Sequence, residues 1–194
     1  MGEEKIETDT RRREIVRQMV HALIGLLMIA IMFLLGRGYL IAFLFFVTII
    51  GLLIINFRTS WGKFPIAEWF EKKLERNHVR FPGYGSSWYV VGIILMALVI
   101  HDPNKIAAGI FVLAIGDAAS TIFGMNGTHR CPYNERKTFE GSAAFFAFSL
   151  IAFIFIGWKA IPLALIAAIV ESLPLPYDDN IVIPVVATSF FLIV

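Results

Sequence analysis

With 194 residues, 58% of them hydrophobic and only 16% charged, the chain lies far from soluble domains, which are about 45–50% apolar and about 25% charged. A mean hydropathy of +0.74 makes it a membrane protein, and its length allows one compact unit, residues 1–194, with no separate soluble catalytic domain. A formal net charge of +2 gives no electrostatic case for a nucleic-acid partner, and the lone Cys131, a spectator thiol in a loop on this reading, excludes an internal disulfide.

Residues 1–13 are polar, with Glu3, Glu4, Glu7 and Asp9 followed by Arg11, Arg12 and Arg13. The segment is too acidic and too long for a cleaved secretory signal and is expected to remain as a cytoplasmic tail. Apolar stretches then cover residues 20–35, 39–55, 88–100, 106–123, 143–158, 161–170 and 181–194. Crossing ~30 Å of hydrocarbon takes ~20 helical residues, so several of them must borrow a flanking polar turn. The expected fold is all-α, a polytopic membrane bundle of six or seven transmembrane helices.

The longest connection, residues 56–87, carries a further helical pattern that starts at Pro65, a favoured first helical position. Ile66, Trp69, Phe70 and Leu74 share one face, and Glu68, Glu71, Lys72, Glu75 and Arg76 the other. This pattern predicts an amphipathic helix lying in the headgroup layer, as an anchor or as a gate for lipid.

With seven spans and the N-terminus inside, 14 of the 17 basic residues fall on the cytoplasmic side, leaving Arg37, Lys105 and Lys159 outside. Asp102 is then the one acid outside. The loop after Gly124 and the later Asp178-Asp179 loop share the cytoplasmic face, in the cell membrane of a prokaryote or the endoplasmic reticulum of a eukaryote.

Ionisable groups within spans cost about 2.5–3.5 kcal/mol on insertion scales and are functional candidates. Asp117 is the clearest, and Gly116 beside it permits close approach of a ligand or another backbone. Glu14, Arg17, Gln18 and His21 recur at spacings of three and four and form one polar stripe on the first span, continued by Gly25. Arg130, Arg136 and Lys137 supply positive charge ahead of a helix whose start offers Thr138, Gly141 and Ser142 as donors to an anion. Glu140 there either caps the helix or binds metal. Glu171, Asp178, Asp179 and Asn180 close the set, and with Asp117 they make a carboxylate, divalent-metal and phosphate constellation. There is no GxxxxGK[ST] loop, protein-kinase signature set, HExxH or GxSxG in the chain. Residues alone therefore predict a multi-span protein that handles a phosphorylated or anionic ligand, with Mg2+, at the cytoplasmic face.

Three motifs in order, GDAASTIFG at 116–124, KTFEGS at 137–142 and ESLPLPYDDNIVIP at 171–184, resemble those of the CTP-dependent lipid-alcohol kinases: dolichol and polyprenol kinase, phytol kinase and the CTP-using diacylglycerol kinase. The first-span EIVRQMVH at 14–21 is similar to that family's pattern, with Gln18 where a Lys is usual, and the Gly124 to Gly127 spacing is shorter. The resemblance implies transfer of the CTP γ-phosphate to a membrane alcohol of the polyprenol or dolichol type, giving CDP and a lipid monophosphate. On that basis Asp117, with Asp178, Asp179 and Glu171, is expected to hold Mg2+. Lys137, Arg136 and Arg17 would neutralise phosphate, helped by Thr138, Ser142, Gly116 and Gly141, with Glu14, Glu140 and Asn180 in support. The base that deprotonates the alcohol is either an acid of the site or His21. Two other readings fit the residues: a CTP:lipid-phosphate cytidylyltransferase, and a small transporter with Asp117 and His21 as a proton or ion relay.

Overall fold

The computed structural model describes residues 2–61 and 83–194, and the predicted amphipathic helix at 65–76 lies outside them. Helix α1, Gly2–Leu35, carries the polar N-terminal segment as a direct extension of the first apolar stretch. It stops where Gly36 takes φ 98°, a left-handed conformation open to glycine. Helix α2, Arg37–Trp61, returns. Arg37 Nε donates to the Ala97 carbonyl oxygen at 2.7 Å and its Nη2 to that of Leu98 at 3.1 Å. A cation thereby satisfies the last carbonyls of α3, Tyr84–Val99.

Helix α4, Pro103–Phe111, starts with Pro at its first turn and Asp102 as N-cap, whose Oδ1 accepts from the Asn104 N–H at 2.9 Å. A π-helical turn, Val112–Gly116, joins it to α5, Asp117–Gly124. The stretch Pro103–Gly124 is the centre of the bundle: 78% of its apolar window is buried, against 11% for α2. Ile106, Ala107, Ala108, Ile110, Val112, Leu113 and Ala114 are wholly inaccessible.

The segment 139–172 is long and apolar enough to be one span, yet it is two antiparallel helices. Helix α6, Phe139–Ser149, runs through a 3-10 turn into the short α7, Phe153–Ile156, and the chain reverses at Gly157, φ 58° and ψ −142°. Helix α8, Ala160–Ser172, then comes back. Contact between Lys137 and Glu171 requires this, because a straight helix over that interval would be ~50 Å long. Helix α9, Asp179–Ile193, with Pro184 inside it, completes the described residues.

The apolar segments alternate in direction, so the bundle has two ends. Arg37, Lys105 and Lys159 collect at one, where the Lys159 ammonium reaches the Val194 carbonyl at 3.0 Å and that of Lys105 the Phe191 carbonyl at 3.4 Å. The residues of the motifs collect at the other. Leu34, Ile154 and Leu192 are among many large apolar side chains that face outward, as expected of a bundle surrounded by lipid. The molecule is thus an α-helical membrane protein, with one departure from all-α among the described residues. The basic loop folds as a hairpin, β1 at Arg130–Cys131 pairing antiparallel with β2 at Asn134–Thr138, with a register shift beside Cys131. Cys131 is buried there.

Candidate functional site

Three elements that are distant in sequence aim carboxylates at one point. Asp117 stands at the start of α5, Glu171 in the last turn of α8 and Asp179 at the start of α9. One oxygen of each lies within 4.8 Å of the others, and Asp117 and Glu171 are buried. Lys137, at the end of β2, reaches into this group: its ammonium bonds Glu171 Oε1 directly and Asp179 Oδ2 at 2.9 Å. Burial disfavours the Lys137 ammonium, but Glu171, Asp179 and Asp117 outweigh that effect and raise its pKa above the ordinary 10.5. Ser120, one turn along α5 from Asp117, donates to Glu171 Oε1 at 2.7 Å. Glu171 Oε2 is buried with no hydrogen-bond partner among the described residues. A compact set of hard carboxylate oxygens, one of them unsatisfied, fits a Mg2+- or Mn2+-type ion.

The π-helical turn just before Asp117 has a local consequence. Such turns insert a residue into the helical repeat and are frequent at functional sites. Here the turn ends at Gly116, immediately before Asp117, with Ser120 and Thr121 following on α5. Gly116, expected at a phosphate, serves a packing need in the structure: a Cβ there would stand 2.5 Å from Ser149 Oγ and 3.1 Å from the Phe145 ring of α6. Gly141 does the same from the other side, where a Cβ would lie 2.9 Å from the Ser120 carbonyl oxygen. Gly141 lets α6 meet the backbone of α5, and Gly116, in the π-helical turn, leaves room for the Ser149 and Phe145 side chains of α6.

The stripe on α1 packs along α5. Gln18, almost wholly buried, donates from Nε2 to Thr121 Oγ1 at 2.9 Å and to Glu14 Oε1 at 3.4 Å. Arg17 forms a two-pronged ion pair with Glu14, its Nε bonded at 3.1 Å. His21, half-buried, has its ring centroid 4.1 Å from that of Tyr89 on α3. None of these four lines the cavity described next.

That cavity, of about 860 Å3, opens beside the carboxylate group. One wall is Ser120, Thr121 and Gly124 of α5, another is Arg130, Arg136, Lys137 and Thr138 of the hairpin, and a third is residues 173–179. The hairpin is pinned over it, with Tyr133 Oη 3.0 Å from Ser172 Oγ and Asn134 Nδ2 donating to the Ser172 carbonyl at 3.0 Å. Thr138 is the N-cap of α6, its Oγ1 accepting from the Gly141 N–H at 3.1 Å. Ser142, in the same turn, keeps its Oγ buried and does not reach the cavity.

Between the two roles open for Glu140, the geometry selects neither. Its carboxylate gathers the preceding loop, accepting from the Thr128 N–H at 3.0 Å and pairing with His129 Nδ1 at 2.7 Å. Asp178 lies outside the carboxylate group and caps α9, accepting from the Asn180 N–H at 3.0 Å. Asn180 ties α9 to α3 through the Gly85 carbonyl at 3.2 Å. Ser120 and Thr121, which line the cavity, are not among the residues expected at the site. Ser120 and Thr121 sit three and four positions after Asp117, a helical spacing that would have found them.

Comparison with known proteins adds a direction. No protein-family model matches the chain, and no solved structure matches it. The chain is 34% identical over 175 residues to the uncharacterized protein MJ1137 of Methanocaldococcus jannaschii, covering 89% of each. It is 30% identical over 130 residues to the probable phytol kinase 1, chloroplastic, of Glycine max, and 28% over 123 residues to phytol kinase 1, chloroplastic, of Arabidopsis thaliana. Those matches take in 55% and 52% of this chain but only 43% and 40% of the plant proteins.

Proposed function

We propose that this chain, which belongs to one family with the protein MJ1137 of Methanocaldococcus jannaschii, is a membrane kinase that phosphorylates a prenyl-type lipid alcohol, with CTP as donor and a polyprenol or dolichol as acceptor. The observation that carries the reading is the convergence of Asp117, Glu171 and Asp179 with Lys137 beside a cavity walled by Arg130 and Arg136. The similarity to plant phytol kinases over about half of the chain supports the same class of acceptor.

Phosphoryl transfer rests on positioning and charge neutralisation. Asp117, Glu171 and Asp179 are the residues to hold Mg2+, which would offset charge on the phosphate oxygens. Arg130, Arg136 and Lys137 receive the triphosphate from the hairpin side. The lipid slides in from the bilayer so that its hydroxyl meets the γ-phosphorus at the membrane surface. An O–P bond forms from the alcohol oxygen, the bond from the γ-phosphorus to the bridging oxygen breaks, and CDP leaves. The hydroxyl proton passes to an acid of the site or to His21, the two acceptors that the sequence offers for it. Placed by its basic residues, this end faces the cytoplasm.

The test is purified protein in nanodiscs with γ-labelled CTP or ATP and a panel of phytol, farnesol, a polyprenol and diacylglycerol. Label entering a prenyl alcohol, from CTP in preference to ATP, supports the reading. Label appearing in pyrophosphate instead assigns a cytidylyltransferase, and solute uptake into liposomes without nucleotide assigns a transporter.

A further inference from the structure

Lys137 shares its acceptors with the metal that the proposed function calls for. Its ammonium is within hydrogen-bond reach of Glu171 Oε1 and of Asp179 Oδ2, two of the three carboxylates whose oxygens cluster within 4.8 Å. Divalent ions of the Mg2+ type demand oxygens at about 2.0–2.1 Å in near-octahedral array. An ion that close to the same oxygens stands against the ammonium, and two cations repel strongly where water is scarce. Asp117 and the unpartnered Glu171 Oε2 are buried, whereas Lys137 and Asp179 line the cavity. Lys137 lines the cavity together with Arg130 and Arg136, so its four-carbon stem has a basic wall to turn along.

We propose that Lys137 is an internal counter-cation that competes with the divalent metal for Glu171 and Asp179, so that metal entry turns its ammonium out towards the cavity and the phosphates. The lysine then acts in sequence: it neutralises the carboxylates before metal loads, and becomes a phosphate ligand once metal has loaded. This rests on the metal reading of the site and assigns an order of events within it.

The experiment uses Mn2+ alone, with the full chain in detergent or nanodiscs. Mn2+ affinity is read by electron paramagnetic resonance and the melting temperature is recorded with and without Mn2+. Lys137→Met is expected to bind Mn2+ at least about tenfold more tightly than the unaltered protein and to gain more melting temperature from it. Lys137→Arg, which keeps the charge, is expected to bind as the unaltered protein does. Equal or weaker binding by Lys137→Met overturns the competition while leaving the metal reading standing. Failure of the unaltered protein and of both variants to bind Mn2+ overturns both. Should Lys137→Met not fold, acylation of Lys137 in the unaltered protein, followed by mass spectrometry, decides the matter. Mn2+ is expected to raise labelling of Lys137, and unchanged or lower labelling overturns the proposal.

Discussion

At the scale of single residues, the site depends on charges that compensate one another. Glu171 accepts from both Ser120 and Lys137 and is buried, so Glu171→Gln keeps the shape but removes the charge that holds the ammonium. Its turnover is expected to fall roughly 100-fold, measured as lipid phosphate formed. Lys137 also fixes a pH dependence. Its pKa is raised above 10.5 in the folded state, so its stabilising contribution is fully present below the unfolded value and is lost only as pH rises through the higher folded one. Activity lost between about pH 7 and about pH 10 would therefore come from another group. The melting-temperature difference between the unaltered protein and Lys137→Met should stay flat across that window. Asp117 and Lys137 were legible in the sequence because a charge in or beside an apolar stretch has few bland explanations. Asp178 was not separable from Asp179: both are acids in one turn, and only the start of α9 decides that the first caps the helix while the second faces the cluster.

At the scale of elements, α6 packs on α5 through Gly141 and on the π-helical turn before it through Gly116. A methyl at position 141 would press on the Ser120 carbonyl, which is backbone and cannot swing aside. Gly141→Ala should destabilise the protein by about 1–3 kcal/mol, measured by thermal denaturation, and lower activity by shifting Ser120 off Glu171. Thr138→Ala, which removes the α6 cap, should cost about 0.5–2 kcal/mol. The sequence reading placed the glycines at the phosphate because small residues next to charges suit both a ligand and a helix crossing. The reversal at Gly157 falls where the apolar stretches 143–158 and 161–170 part at Lys159, so it was legible. The hairpin at 130–138 was the least legible element, because its strands lack the alternation that marks a half-buried sheet. The hairpin is held by contacts to Ser172 that are remote in sequence.

At the scale of the whole molecule, the apolar stretches read from composition are largely helical among the described residues, with four candidate membrane spans, and the three basic residues expected outside lie at the end opposite the motifs. The sorting of Arg37, Lys105 and Lys159 to the far end follows from the alternation of helix direction. In a Cys131→Ser background, cysteine introduced at Tyr177 should react with an impermeant reagent only from the cytoplasmic face, and cysteine at Lys159 only from the opposite one. The central claim is that the carboxylate group at this end transfers phosphate. Its most direct test is γ-labelled CTP and a prenyl alcohol presented to the unaltered protein and to Asp117→Asn. The account predicts labelled lipid phosphate from the unaltered protein and, from a folded Asp117→Asn, at least about 100-fold less. Near-normal turnover by Asp117→Asn would contradict it.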